Sequence, residues 1–244
     1  MPVSTIFIGC AGWAIPRTHA VDFPGTASHL ERYAHQFPAV EINSSFDRPH
    51  KPATYARWAA LVPEGFRFAV KVPKVITHTS RLTGTDLLGQ FLQGPAALGT
   101  KLGPLLVQLP PSLEFDQRIV QKFFLTLRKQ YAGSIVCEPR HGSWFTAPAN
   151  QLLEKYRIAR VAADPSIASE LKPGGWKGLV YYRLHGSPRR YYSAYSEAFL
   201  KRLAETLLRA ARTAPAWCIF DNTAAGEATR NALFLWKLLG QSNI

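Results

Sequence analysis

The sequence predicts an α/β fold, a single TIM-type (β/α)8 barrel over residues 1–244, with an irregular connection between strands six and seven. Three observations carry this expectation. Eight short apolar stretches of strand character alternate with seven or eight helix-like segments at intervals of ~20–40 residues. The length of 244 residues suits such a barrel, which needs ~250. Polar and charged residues gather at the C-terminal ends of the strands, where a barrel builds its active site. An open doubly wound sheet is the runner-up, but Gly9-Cys10-Ala11-Gly12 does not complete the GxGxxG turn expected after its first strand.

Taken in order, the first strand is Thr5–Cys10, ending in Ala11, Gly12 and Trp13. A helix follows over Ser28–Gln36, with Leu30, Tyr33, Ala34 and Phe37 at helical spacing. Strand two is Ala39–Asn43, and Lys51–Leu61 is helical, with Tyr55, Trp58 and Leu61 on one stripe. Strand three, Phe66–Val72, stops at Pro73 and leads through a long loop to a helix over Asp86–Leu98. Gly99 and Gly103 supply a stop and a turn before strand four, Leu105–Leu109, which Pro110 and Pro111 terminate. A helix over Gln117–Gln130 leads to strand five at Ser134–Cys137, an apolar run of the kind buried on both faces. Helix five is placed at Gln151–Tyr156 and strand six at Ala159–Ala163. Ser166–Lys177, with Pro173, Gly174 and Gly175, reads as irregular. Strand seven is Leu179–Leu184, followed by a helix over Glu197–Arg212. Strand eight, Trp217–Phe220, and a helix over Ala225–Leu239 close the series.

Composition narrows the class. A 47% hydrophobic content affords a sizeable core. The N-terminus lacks the pattern of a signal peptide, and no apolar stretch approaches the ~18 residues of a membrane helix. Cys10, Cys137 and Cys218 each sit in an apolar run, as small core residues of a reducing compartment do. The expectation is a soluble, cytoplasmic protein with no membrane association, and nothing points to a protein partner. The net charge of +13 draws anions, so nucleic acid and anionic small molecules are the candidate partners.

The strand ends carry the chemistry. Glu41 and Asn43 come from strand two, Lys71 from three and Gln108 from four. Glu138 and Arg140 close strand five, followed by His141, Gly142, Ser143 and Trp144. Asp164 ends strand six, Arg183 and His185 strand seven, and Asp221 strand eight. Residues two apart share a side of a strand, so Glu41 with Asn43, Glu138 with Arg140, and Arg183 with His185 face one cavity. Glu138 and Asp164 are the candidate acid–base pair, with Lys71 or His185 as proton-transfer partner. Four carboxylates against three cations also describe a self-neutralising ion-pair network at the barrel mouth.

Asp221, Asn222, Thr223 and Ala224 open the last helix, whose free N–H groups would favour an anion. Arg189 and Arg190 beside Tyr191 and Tyr192 suit phosphate and a flat ring. Trp144 and Tyr191 offer stacking surface. A divalent metal is a possible cofactor, its ligands drawn from Glu41, Glu138, His141, Asp164, His185 and Asp221. No HExxH-type spacing supports it, and neighbouring cations compete with it.

With these motifs assembled, the chain resembles the YecE-like family, domain of unknown function 72. The match rests on Ile8-Gly9-Cys10-Ala11-Gly12-Trp13, Val40-Glu41-Ile42-Asn43-Ser44-Ser45-Phe46 and Phe68-Ala69-Val70-Lys71-Val72-Pro73. Leu105-Leu106-Val107-Gln108-Leu109-Pro110-Pro111, Glu138-Pro139-Arg140-His141, Arg183-Leu184-His185-Gly186 and Asp221-Asn222-Thr223 extend it over nearly the whole length. Asp47 stands where the family usually carries Tyr. The resemblance implies a TIM-type barrel similar in outline to metal-dependent barrels such as endonuclease IV and the sugar isomerases. Three functions are then open. The first is an enzyme on a phosphate-bearing substrate, nucleic acid included, in its sharper form a hydrolase with metal-assisted phosphodiester cleavage. The second is a non-catalytic binding protein for nucleic acid or an anionic metabolite. The third is a metal-free isomerase or lyase acting on a sugar-like compound.

Overall fold

The parallel ladders fall into two sheets, and the break between them determines how the site is built. The computed structural model describes residues 5–168 and 171–240. Its strands are β1 (Ile6–Cys10), β2 (Ala39–Ile42), β3 (Arg67–Lys71), β4 (Leu102–Gln108) and β5 (Ile135–Glu138). They continue as β6 (Ile158–Arg160), β7 (Ala162–Asp164), β8 (Gly174–Gly175), β9 (Val180–Leu184) and β10 (Ala216–Phe220). One sheet has the order β1-β10-β9-β7 and the other β2-β3-β4-β5-β6-β8. Every pairing is parallel except β6 with β8.

The expected closed ring of eight ladders is thus replaced by two sheets, and strand six is the reason. β6 pairs with β5, and Val161 N still donates to Cys137 O at 2.8 Å. One residue later the chain has crossed over, and β7 pairs with β9. Gly174 and Gly175 lie antiparallel on the remaining edge of β6, opposite Arg160 and Ala159. That edge is therefore occupied, and β9, paired with β10 on one side, takes β7 on the other. Ser169 and Glu170, within the stretch read as irregular, lie outside the described residues. At the other joint β1 meets β2 through a single parallel bridge, Ala11 to Glu41, and Gly12 N donates to Glu41 O at 2.9 Å.

Gly9 makes that second joint possible. A Cβ there would lie 2.1 Å from Ala39 O and 3.1 Å from the Tyr33 hydroxyl. Tyr33 itself pins the joint, donating to Ala39 O and accepting from Cys10 N. Substituting Gly9 with Ala is expected to push β1 off β2 and cost about 1–3 kcal/mol as overpacking. A urea-unfolding midpoint unchanged from wild type would contradict this.

Helices α1 (His29–Gln36), α2 (Pro52–Ala60), α3 (Leu87–Ala96), α4 (Gln117–Gln130), α5 (Ala147–Lys155), α6 (Glu197–Ala210) and α7 (Glu227–Leu238) cover the outer faces. Their starts follow local chemistry. Ser28 and Glu31 form a reciprocal capping box on α1, and Asp116 and Ser196 cap α4 and α6. Most boundaries fall within two residues of expectation, and two differ by more. β4 begins three residues before Leu105, and α5 begins at Ala147, four residues before Gln151, with Pro148 in its first turn. The large core lies between strands and helices, and its buried Phe123, Phe124 and Leu127 come from the apolar stripe of α4. A second, smaller cluster lines the inner faces of both sheets together: Ala39, Ala69, Leu106, Val136, Tyr181 and Ile219 among others. No helix among the described residues is long and apolar enough to cross a membrane.

Candidate functional site

Six of the inner apolar residues are followed, two positions on, by a polar one: Ala39 by Glu41, Ala69 by Lys71, Leu106 by Gln108, Val136 by Glu138, Tyr181 by Arg183, Ile219 by Asp221. The strand period of two therefore stacks one polar layer on the apolar floor. Arg183 holds its centre, with no exposed surface. Its guanidinium meets three carboxylates: Nη2 lies 2.7 Å from Glu41 Oε1 and 3.0 Å from Asp221 Oδ2, and Nη1 lies 3.2 Å from Glu138 Oε2. Nε adds 3.1 Å contacts to both Glu41 oxygens. The Tyr181 hydroxyl also donates to Glu41, at 3.0 Å. This residue was absent from the sequence-based site, although its place two before Arg183 marks it.

His185 ties the far side together. Its Nδ1 is 2.8 Å from Asp221 Oδ2 and its Nε2 2.8 Å from Glu138 Oε1. Arg140 Nη2 lies 2.6 Å from the same Glu138 oxygen and 2.7 Å from His185 Nε2. A doubly protonated ring satisfies both carboxylates, whereas a ring accepting at Nε2 suits Arg140, so the geometry accommodates both states. Burial alone would raise the Glu138 carboxyl, but Arg183, His185 and Arg140 hold it well below the usual carboxylate range. Asp221 is lowered likewise: burial raises it, and Arg183, His185 and Lys71 together outweigh that.

Lys71 stands apart. Only 6% exposed, its Nζ sits 4.0 Å from the centre of the Phe46 ring. Among the described residues it forms no ion pair or hydrogen bond through Nζ. Lys101 offers the contrast, donating to Ala59 O and Val62 O. Burial, and after it repulsion from Arg183, brings the Lys71 amine from 10.5 down to about 8. The cysteines are the opposite case: burial pushes the Cys10 thiol up to about 12 and raises Cys137 and Cys218, as fits inert core residues.

Several expected site residues lie elsewhere. Asp164 is half-buried and does not reach the network; its Oδ2 accepts from the Tyr195 hydroxyl at 2.8 Å. Tyr195 comes from the loop beyond β9, so nothing local to Asp164 announced the contact. Trp144 is fully buried, with Nε1 donating to Leu113 O at 2.9 Å, and is core in place of stacking surface. His141 caps the turn Gly142–Phe145 by accepting from Ser143 N. The anion site expected at the start of the last helix is not formed: α7 begins at Glu227, an acidic residue, behind a left-handed Gly226. Asn222 is buried and donates to Ser193 O and Asn231 Oδ1, Thr223 is exposed, and Ala224 N donates to Tyr191 O. Gln108 reaches Glu138 at 3.4 Å, and Asn43 is half-buried at the start of the turn Ser44–Phe46. At the rim, Tyr191 stands edge-on to the His185 ring at 5.8 Å and Arg189 stacks on Tyr192. Asp47 is exposed, 3.6 Å from Lys74.

A divalent metal does not fit this donor set. Glu41, Glu138 and Asp221 converge on the Arg183 guanidinium, which already holds the position a cation would take. Among the described residues no three His, Cys, Asp or Glu side chains are grouped to bind a metal.

Fold and site together define a parallel α/β protein built round a buried, arginine-centred cluster of carboxylates at its strand ends. Its family follows: the chain belongs to the family described as "Protein of unknown function DUF72", whose model matches residues 7–244. It is 30% identical over 270 residues to the UPF0759 protein YunF of Bacillus subtilis, covering 96% of this chain and 94% of that one. It is 32% identical over 106 residues to the UPF0759 protein YecE of Escherichia coli K12, a match spanning 43% of this chain and 38% of the relative. Crystal structures of DUF72 family proteins from Enterococcus faecalis (TM-score 0.83, 23% identity, 98% and 97% coverage) and Thermotoga maritima (0.80, 25%, 97% and 99%) share the fold. D-Psicose 3-epimerase with D-tagatose from Clostridium cellulolyticum aligns at a TM-score of 0.51 and 9% identity, over 88% of this chain and 93% of that one, a likeness of fold alone.

Proposed function

We propose that this protein is an enzyme that moves a proton, without a metal, on a small sugar-like substrate at the ends of its strands. We propose also that the two sheets are arcs of one (β/α)8 barrel. The Ala11–Glu41 bridge, the strand that crosses at Val161 and the shared inner cluster support the barrel. One observation carries the function: among the described residues, every other buried cation of the mouth is paired with a carboxylate, and the Lys71 amine has no anion in contact. An amine titrating near 8 is suited to take and return a proton at neutral pH. The groups left for hydroxyl and carbonyl oxygens are Gln108 and the unpartnered Nε of Arg140. A setting in the cytoplasm suits the three buried free thiols.

A phosphate on that substrate is favoured by the exposed Arg189, Arg190 and Tyr192 beside Tyr191, which borders His185. Phosphodiester hydrolysis by a metal has no support in the donor set. A non-catalytic binder of an anionic metabolite or nucleic acid would use the same rim without turnover. The test is proton exchange in D2O, followed by NMR, across ketohexoses and their phosphate esters. Expected is loss of the proton signal beside the carbonyl of at least one sugar. Because the free amine is the active form, the rate should rise with pH and level off above about 8. Lys71→Met should lower it by about a hundredfold or more. No exchange in any sugar would sink the enzyme reading and leave the binder.

A further inference from the structure

Lys71 has the surroundings of a nucleophile as well as those of a proton carrier. It ends β3, so its backbone is held by the sheet, and its carbonyl accepts from the buried Ser45 hydroxyl at 2.7 Å. The Phe46 ring covers one side of Nζ, and no carboxylate of the described residues ties up the amine. Asp221 completes the picture. Its Oδ2 is taken by Arg183 and His185, whereas Oδ1 accepts no hydrogen bond from any described residue. A free carboxylate oxygen thus shares the mouth with a free amine, and its charge acts on Lys71.

We infer that Lys71 condenses with the carbonyl carbon of an α-hydroxy aldehyde or ketone, forming a covalent imine, with Asp221 Oδ1 as acceptor of the neighbouring C–H proton. This rests on the sugar-like substrate proposed above and deepens it. The lone pair of neutral Nζ attacks the carbonyl carbon, and the C=O pair moves to oxygen, which takes a proton from the attacking nitrogen. A second proton, drawn from solvent and returned on hydrolysis, lets that hydroxyl leave as water, and the iminium remains. Its positive nitrogen draws the electron pair of the adjacent C–H bond into an enamine while the proton passes to Asp221. Return of a proton to carbon and addition of water release the carbonyl product and the free amine. Nothing is oxidised or reduced overall.

The test uses glycolaldehyde, the smallest α-hydroxy aldehyde, with cyanoborohydride at pH 8, followed by peptide mass mapping of the whole chain. Reduction of the imine leaves a stable hydroxyethyl group on the amine that formed it. Expected is one adduct at Lys71, about tenfold above the mean at the exposed Lys51 and Lys74. Lys71→Arg, checked for native circular dichroism, should lose only that adduct. Labelling of Lys71 no faster than of the exposed lysines would overturn the proposal. Sugar exchange in D2O that depends on Lys71, without such an adduct, would overturn the imine alone and leave the proton-transfer function standing.

Discussion

Replacing Arg183 with methionine is expected to destabilise the protein by about 3–5 kcal/mol or more, the cost of stranding one partner of a buried ion pair. Here one guanidinium serves three carboxylates, all nearly or fully buried. Methionine fills much of the volume and leaves Glu41, Glu138 and Asp221 facing one another with no central cation. Lysine should rescue poorly, because an ammonium cannot make the two-pronged contact to Glu41. The deficit should also depend on pH. In the wild type the lowered Glu138 and Asp221 add stability that is present above their ordinary values of 4.5 and 3.8 and lost as pH falls through their folded values. Without Arg183, burial raises these groups instead, and the variant gains relative stability as they take up protons. The gap between the two proteins should therefore narrow as pH falls from 7 towards 4. Urea unfolding at pH 7 and pH 4 measures this. A loss under ~1 kcal/mol at pH 7 would mean that the carboxylates find other partners.

Trp144→Ala is the second large effect, at about 3–5 kcal/mol. The indole is wholly enclosed, packs edge-on against Phe115 at 5.3 Å and donates to Leu113 O. Its removal opens a cavity beneath the loop after β5 and leaves that carbonyl without its donor. A side chain serving only to stack on ligand would cost little stability on truncation, so the unfolding midpoint separates the two roles. Lys71 need not be disturbed: its labelling by glycolaldehyde should persist in the folded fraction.

The sequence was most informative where one rule acts along one strand. Glu41, Lys71, Glu138, Arg183 and Asp221 could be grouped because each closes a strand; in the structure each follows an inner apolar residue by two positions, and a pleated strand turns both to the same side. Arg183 as the hub was not legible, since charge counting treats Arg140, Lys71 and Arg183 alike. Their difference lies in reach: Arg183 contacts three carboxylates, Arg140 one, and Lys71 none. Asp164 was misplaced because its partner, Tyr195, lies 31 residues away. The helix-start reading of Asp221–Ala224 failed because Gly226 delays the helix to Glu227.

By itself, the sequence determined the alternation of strands and helices and the polar end of the strands, because these depend on periodicities of two and 3.6 that any chain segment carries locally. Only the tertiary structure decided that the ladders divide at Val161, that Trp144 is core, and that three carboxylates share Arg183 and leave Lys71 alone. Such outcomes depend on which strand edges remain unoccupied and which side chains meet across 30 to 140 residues of chain, and no local pattern encodes them.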